Sequence, residues 1–288
     1  MDVYVKPGKY VVAVSGGVDS MALLHALKQL PDVQLIVAHF EHGIRADSDE
    51  DRRLVASVAK EYDLPFVYAR GHLGAGASEA MARDARYAFL RHVMEEQGAV
   101  GIITAHHQND LIETAFINLL RGTGSRGLTA LRTTDNLHRP LLDITKQDIL
   151  AYARDQGLVW REDSTNSDDR YLRNYLRHHV MPKLSDKQRQ KALAHIHSAG
   201  KLHAAIDREL SPYIGGMELG RAWFISSPHS VASEVLALWL RRHMATFDRK
   251  TIERLVVFAK TAANGKRADV DRTHYVVVGK NHITLYAR

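Results

Sequence analysis

The run Ser15-Gly16-Gly17-Val18-Asp19-Ser20 follows four apolar residues, Val11 to Val14. The spacing reads as a buried strand entering a glycine turn and then the first turn of a helix. Two glycines let the backbone turn tightly and bring N–H groups close to an anion, and a helix N-terminus favours negative charge. The chemistry implied is the holding of a pyrophosphate. No lysine stands in the loop, which separates it from the G-x-x-x-x-G-K-[ST] phosphate loop.

A second set of reactive types lies further along. On a helix beginning near His106, residues His106, Asp110 and Glu113 fall at i, i+4 and i+7 and share one face. Ile112, Ala115, Phe116 and Leu119 take the opposite face and are expected to pack on a sheet. Two neighbouring carboxylates call for a cation, either Mg²⁺, which takes oxygen ligands, or the ammonium of an amine substrate. That helix runs into Arg121-Gly122-Thr123-Gly124-Ser125-Arg126-Gly127, a flexible basic turn suited to phosphate. Upstream, Glu79, Arg83, Arg86 and Tyr87 occupy neighbouring helical positions.

The elements that must position these groups alternate between strand and helix. Apolar runs at 10–14, 34–38, 65–68 and 100–104 read as strands, and 19–30, 49–62 and 78–97 show helical spacing. The fold class expected is α/β, a doubly wound parallel sheet, in which ligands bind beyond the carboxyl ends of the strands. The Ser15 loop, the run His39-Phe40-Glu41-His42-Gly43-Ile44-Arg45 and the pair His106-His107 all fall at such ends. Residues 187–210 read as a connecting helix. A small α+β unit follows, with helices at 230–244 and 248–260 and strands at 273–278 and 282–286.

Composition narrows the class further. The 288 residues carry a net charge of +6 and a pI near 9.4, which favours a polyanionic partner such as nucleic acid. The absence of cysteine excludes disulfides, cysteine-ligated metals and thiolate or persulfide catalysis within the chain. No apolar run reaches the roughly 18 residues that span a bilayer, so a cytoplasmic protein without membrane contact is expected.

Taken together, Ser15 to Ser20, His39-x-x-His42-Gly43-Ile44-Arg45, Glu79 to Tyr87, His106-His107-x-x-Asp110-x-x-Glu113, the Arg121 loop and Arg139-Pro140-Leu141-Leu142 resemble the tRNA(Ile)-lysidine synthetases. These are ATP pyrophosphatases of the PP-loop superfamily. Glu162-Asp163-x-x-Asn166 and Tyr171-Leu172-Arg173-Asn174-Tyr175-Leu176-Arg177 continue the match, which is collinear over residues 9–183. One departure is Leu111, where many members have glutamine; the chain is also short beside relatives with a further C-terminal domain. The resemblance implies a fold of the adenine nucleotide alpha hydrolase type over residues 1–186, the connecting helix, and a tRNA-binding unit at 211–288.

The reaction it implies uses ATP and Mg²⁺ to adenylate the wobble cytidine of an isoleucine tRNA with a CAU anticodon. Free L-lysine then displaces AMP to give lysidine. Ser15, Gly16, Gly17, Val18, Asp19 and Ser20 would hold the phosphates, with Asp19 also near the metal, and Ala38 and His39 would border the adenosine. Asp110 and Glu113 would orient or deprotonate the lysine. Arg86 and His106 would steady negative charge, and Arg121, Arg126, Arg173 and Arg177 would contact tRNA phosphates. A homodimer is compatible with the sequence. A tRNA thiolase is disfavoured by the lack of cysteine, and a catalytically silent nucleotide- and RNA-binding protein is disfavoured by the intact Asp19, Asp110 and Glu113.

Overall fold

Five parallel strands carry the larger unit, in the order β3-β2-β1-β4-β5. They are β1 (Gly8–Ala13), β2 (Val33–Glu41), β3 (Phe66–Arg70), β4 (Gly101–Ile103) and β5 (Leu137–His138). The computed structural model describes residues 1–41, 48–71, 79–161 and 172–288. His42, Gly43, Ile44, Arg45, Ser78, Glu162, Asp163, Asn166, Tyr171 and the Glu79 side chain lie outside the described residues. By contacts the chain divides into Met1–Ile196 and His197–Arg288.

Parallel strands covered on both faces read as continuous apolar runs, and β1 and β2 do so here. Alternation along them sends side chains to two separate cores. Val12, Leu35 and Val37 face α1 (Val18–Lys28), α2 (Ser48–Glu61) and α6 (Lys146–Asp155), where Leu23, Val55 and Ile149 are fully buried. Val11, Ile36, Ala38 and Ile102 face α3 (Glu79–Glu96) through Tyr87, Leu90 and Val93. This is the doubly wound α/β sheet expected.

The order also places a switch point. β2 lies on one side of β1 and β4 on the other, so the chain segments after β1 and β4 border one crevice at the carboxyl edge. The 104–107 segment leads to α4 (Gln108–Leu120), a short helix α5 (Ser125–Leu128) and later α7 (Leu172–Tyr175). α4 does not pack on the sheet as expected. Leu111, Ile112 and Ala115 join Leu131, Met181 and Ile196 in a core of their own, and Leu119 is exposed.

The second unit takes the end of α8 (Asp186–Leu210) and then β6 (Glu218–Gly220), α9 (Arg221–Ser226), α10 (His229–Arg242), α11 (Arg249–Thr261), β7 (Arg267–Asp269), β8 (His274–Val278) and β9 (His282–Ala287). Its antiparallel sheet runs β6-β9-β8-β7. Val276, Ile283 and Leu285 on one face pack with Leu236, Trp239 and Leu255 of α10 and α11. Among the described residues no helix is long and apolar enough to cross a membrane.

Candidate functional site

The turn after β1 is held open by its own hydroxyls. Ser20 Oγ donates to the Gly17 carbonyl at 2.9 Å and accepts from the Ser15 N–H at 3.1 Å. Gly16 has φ +91°, a conformation that glycine adopts freely and other residues rarely do. No side chain caps α1, whose N-cap is Gly17, so the leading N–H groups of the helix face outward for an anion. Arg161 braces the loop from outside: its N–H donates to the Gly16 carbonyl at 3.0 Å and its Nε to Asp51 of α2 at 2.9 Å.

Across the crevice, the 104–107 segment and α4 gather a chain of alternating charge. His107 caps α4, its Nδ1 accepting from the Asn109 N–H at 3.2 Å, while its own N–H donates to Asp110 at 3.0 Å. That fixes the proton on Nε2, which stands 3.5 Å from Asp110 Oδ2 and 3.7 Å from Asp19 Oδ2. The other Asp19 oxygen accepts from Lys146 Nζ at 2.6 Å. On the far side Arg177 donates to Asp110 at 3.1 Å and forks onto Glu113 at 3.0 and 2.9 Å.

Burial tunes these groups in different directions. Glu113 has no exposed surface; burial pushes its carboxyl above the usual range, with Arg177 opposing. Burial would also raise Asp110, but the two histidine rings, the His107 N–H and Arg177 hold it below the usual carboxylate range. Burial holds His106 well down, at about 3, with Asp110 opposing and Arg139, Arg86 and Arg83 adding to the effect. His106 is therefore neutral at pH 7, with Nδ1 at 2.9 Å from the Thr104 hydroxyl.

The structure thus brings Asp19, His106, Asp110 and Glu113 around one crevice, with Arg86 close enough to influence His106. His106 lies two residues before α4 rather than on it, so the expected three-residue helical face is a pair plus a loop histidine. His39 sits against the loop, its Nδ1–H donating to the Val14 carbonyl at 2.8 Å. Burial lowers its pKa, the Val14 bond opposing. Ala38 is buried within the α3-facing core.

The four arginines expected on tRNA separate into two groups. Arg121 is exposed and Arg126 half-buried, at the far end of α4, about 16 Å along the helix from Asp110 at 1.5 Å per residue. Their turn is more ordered than expected: Thr123 donates to the Asn118 carbonyl at 2.8 Å and Asn118 to Gly127 at 2.8 Å. Arg173 and Arg177 instead pack on α4, Arg173 donating to Thr114 at 3.2 Å. Arg177 lies in a π-helical turn, Leu176–Val180, a feature frequent at functional sites. It supplies the cation that the carboxylate pair requires, a role the sequence reading gave to Mg²⁺ or an amine.

Lys146 was missed altogether. Thr145-Lys146-Gln147-Asp148 is a capping-box pattern, and the Thr145 hydroxyl does accept from the Asp148 N–H at 3.1 Å. That signal locates α6, while the pairing with Asp19 over a separation of 127 residues is visible only in three dimensions.

A glycine turn at the switch point of a five-stranded parallel sheet defines a nucleotide-binding domain of the adenine nucleotide alpha hydrolase type. Residues 2–184 match the family model for the PP-loop domain, and the chain belongs to that family. It is 40% identical over 180 residues to the tRNA(Ile)-lysidine synthase of Exiguobacterium sibiricum, covering 61% of this chain and 43% of that protein. The corresponding enzyme of Pseudomonas fluorescens is 40% identical over 204 residues, covering 67% and 46%, and that of Thermus thermophilus 41% over 184, covering 62% and 36%. The match therefore spans less than half the length of each relative. Among solved structures, the U34-tRNA thiolase NcsA from Methanococcus maripaludis with its [4Fe-4S] cluster superposes with a TM-score of 0.58 at 17% identity, covering 69% of this chain and 73% of that one. It shares the fold.

Proposed function

We propose that this chain attaches L-lysine to the wobble cytidine of an isoleucine tRNA with a CAU anticodon, consuming ATP and releasing AMP and pyrophosphate. The observation that carries this reading is the Asp110–Glu113–Arg177 cluster, joined through His107 to Asp19 at the phosphate loop. Asp110 and Glu113 set two formal negative charges against one on Arg177. The remaining charge favours an ammonium group beside the place where AMP would be displaced.

ATP fits the uncapped N-terminus of α1 and the open turn before it. Mg²⁺ fits too: it binds through one or two carboxylates plus phosphate oxygens, Asp19 offers one such carboxylate, and the described residues hold no fuller metal cluster. Bound there, the ion would neutralise phosphate charge. Neutral His106 and Arg86 would steady the adenylated intermediate. A lysine amine must lose a proton before it attacks, and Glu113, with its raised pKa, is a stronger base than an ordinary carboxylate.

The second unit is proposed as the RNA grip. His197–Arg288 holds 14 Lys and Arg against 8 Asp and Glu, so it accounts for the whole net charge of +6. Recognition of tRNA implies a cytoplasmic site of action.

The test is incubation with ATP, Mg²⁺, labelled lysine and an unmodified CAU isoleucine transcript, with a methionine tRNA as control. Lysine retained only on the isoleucine RNA, with AMP released in step, is the expected result. AMP without lysine transfer would replace the nucleophile. Neither product from folded, ATP-binding protein would leave a silent binding protein.

A further inference from the structure

The glycine loop has no lysine of its own, yet the fold delivers one to it. Lys146 Nζ lies 2.6 Å from Asp19 Oδ1, and the two side chains are 31% and 29% exposed. An ion pair at that exposure adds little to stability. Lys146 is moreover the first residue of α6, behind the Thr145 cap, where the helix dipole disfavours a cation. Stability explains neither the residue type nor its position.

Its backbone, by contrast, is firmly set. The Ile144 carbonyl accepts from the Gln108 N–H at 3.1 Å, tying the start of α6 to the start of α4. Below it, Ile149 and Ala153 are buried with the apolar side of α1, and the Tyr152 hydroxyl meets His25 of α1 at 2.8 Å. Lys146 therefore springs from a fixed point between the two helices that begin at the crevice, and its long stem ends at the loop.

We propose that Lys146 is a phosphate-binding residue of the nucleotide site, its ammonium held beside the loop by Asp19 and turning to the triphosphate when ATP binds. This rests on reading the loop as the ATP site. In adenylation an acceptor oxygen bonds to the α-phosphorus, the bond from that phosphorus to the α–β bridging oxygen breaks, and its electron pair leaves on pyrophosphate. A compact ammonium beside that oxygen neutralises charge as it develops. The loop lysine of G-x-x-x-x-G-K-[ST] sequences serves phosphates in the same way. Here the cation arrives from a helix much later in the chain.

The test compares Lys146→Met and Lys146→Arg with wild type in the full chain. Calorimetric titration with pyrophosphate and with ATP, in the absence of RNA and lysine, should show Lys146→Met weakened about tenfold or more for pyrophosphate and Lys146→Arg largely recovered. RNA-dependent AMP formation should lose about a hundredfold in kcat for Lys146→Met, with a smaller rise in KM for ATP. A Met variant that binds pyrophosphate and turns over like wild type would reduce Lys146 to an ion-pair partner and overturn the proposal. Wild type that shows the Lys146-dependent pyrophosphate affinity but transfers no lysine would sink the lysidine reading and support this one.

Discussion

Arg177 and Glu113 meet in a two-pronged ion pair, Nε to Oε1 at 3.0 Å and a terminal nitrogen to Oε2 at 2.9 Å, with Glu113 sealed from solvent. The fork reaches Asp110 as well, so one guanidinium sets the geometry of both carboxylates. Removing it leaves a buried charge without compensation. Arg177→Ala is expected to cost about 3 kcal/mol in urea unfolding. The double variant Arg177→Met with Glu113→Leu should regain most of that stability, because an apolar pair of similar volume replaces the ions. It should still fail to transfer lysine while forming AMP. Recovery of lysine transfer in the double variant would remove the pair from the site.

Neutral His106 predicts a stability slope in mild acid. Its folded pKa is about 3 against an ordinary value of 6.5. Between those values the unfolded chain takes up a proton that the folded chain refuses, so stability present above pH 6.5 is lost as pH falls. Glu113 acts with the opposite sign, its raised carboxyl favouring the folded state as pH falls toward the usual carboxylate range. The diagnostic is therefore a difference: His106→Gln should flatten the fall in melting temperature between pH 6.5 and 4. Identical slopes in the two proteins would contradict the neutral ring.

The two central strands β1 and β2 were legible in sequence because each is covered on both faces and so reads as a continuous apolar run. Val11-Val12 and Leu35-Ile36-Val37-Ala38 are of this kind. β5 has only two residues, too few for any period to show. The spacing of apolar and acidic residues starts α4 near His106, whereas its cap is His107, outside the Ser, Thr, Asp and Asn set that usually marks a helix start. The Asp110 and Glu113 face survived that error, since both lie inside the helix under either boundary. Arg177 and Lys146 reach partners 64 and 127 residues away. Charge type and local spacing hold no record of such contacts, and the basic run around Arg173 and Arg177 therefore read as a phosphate surface.

That reassignment separates two kinds of arginine by salt dependence. Each cation that neutralises an RNA phosphate releases counterions, and its loss reduces the slope of log K against log salt by about 0.7–0.9. Arg121 is exposed and free to follow a phosphate. Arg121→Ala should weaken binding of the CAU transcript, flatten the slope by about that amount, and leave ATP binding unchanged. Arg177 has its guanidinium committed to Asp110 and Glu113, so Arg177→Ala should leave the slope as it is and abolish lysine transfer. Arg173, which donates to Thr114 on the same helix, should behave like Arg177. Equal flattening by Arg121→Ala and Arg177→Ala would return Arg177 to the phosphate surface, and the carboxylate pair would then need another cation to hold it during the reaction.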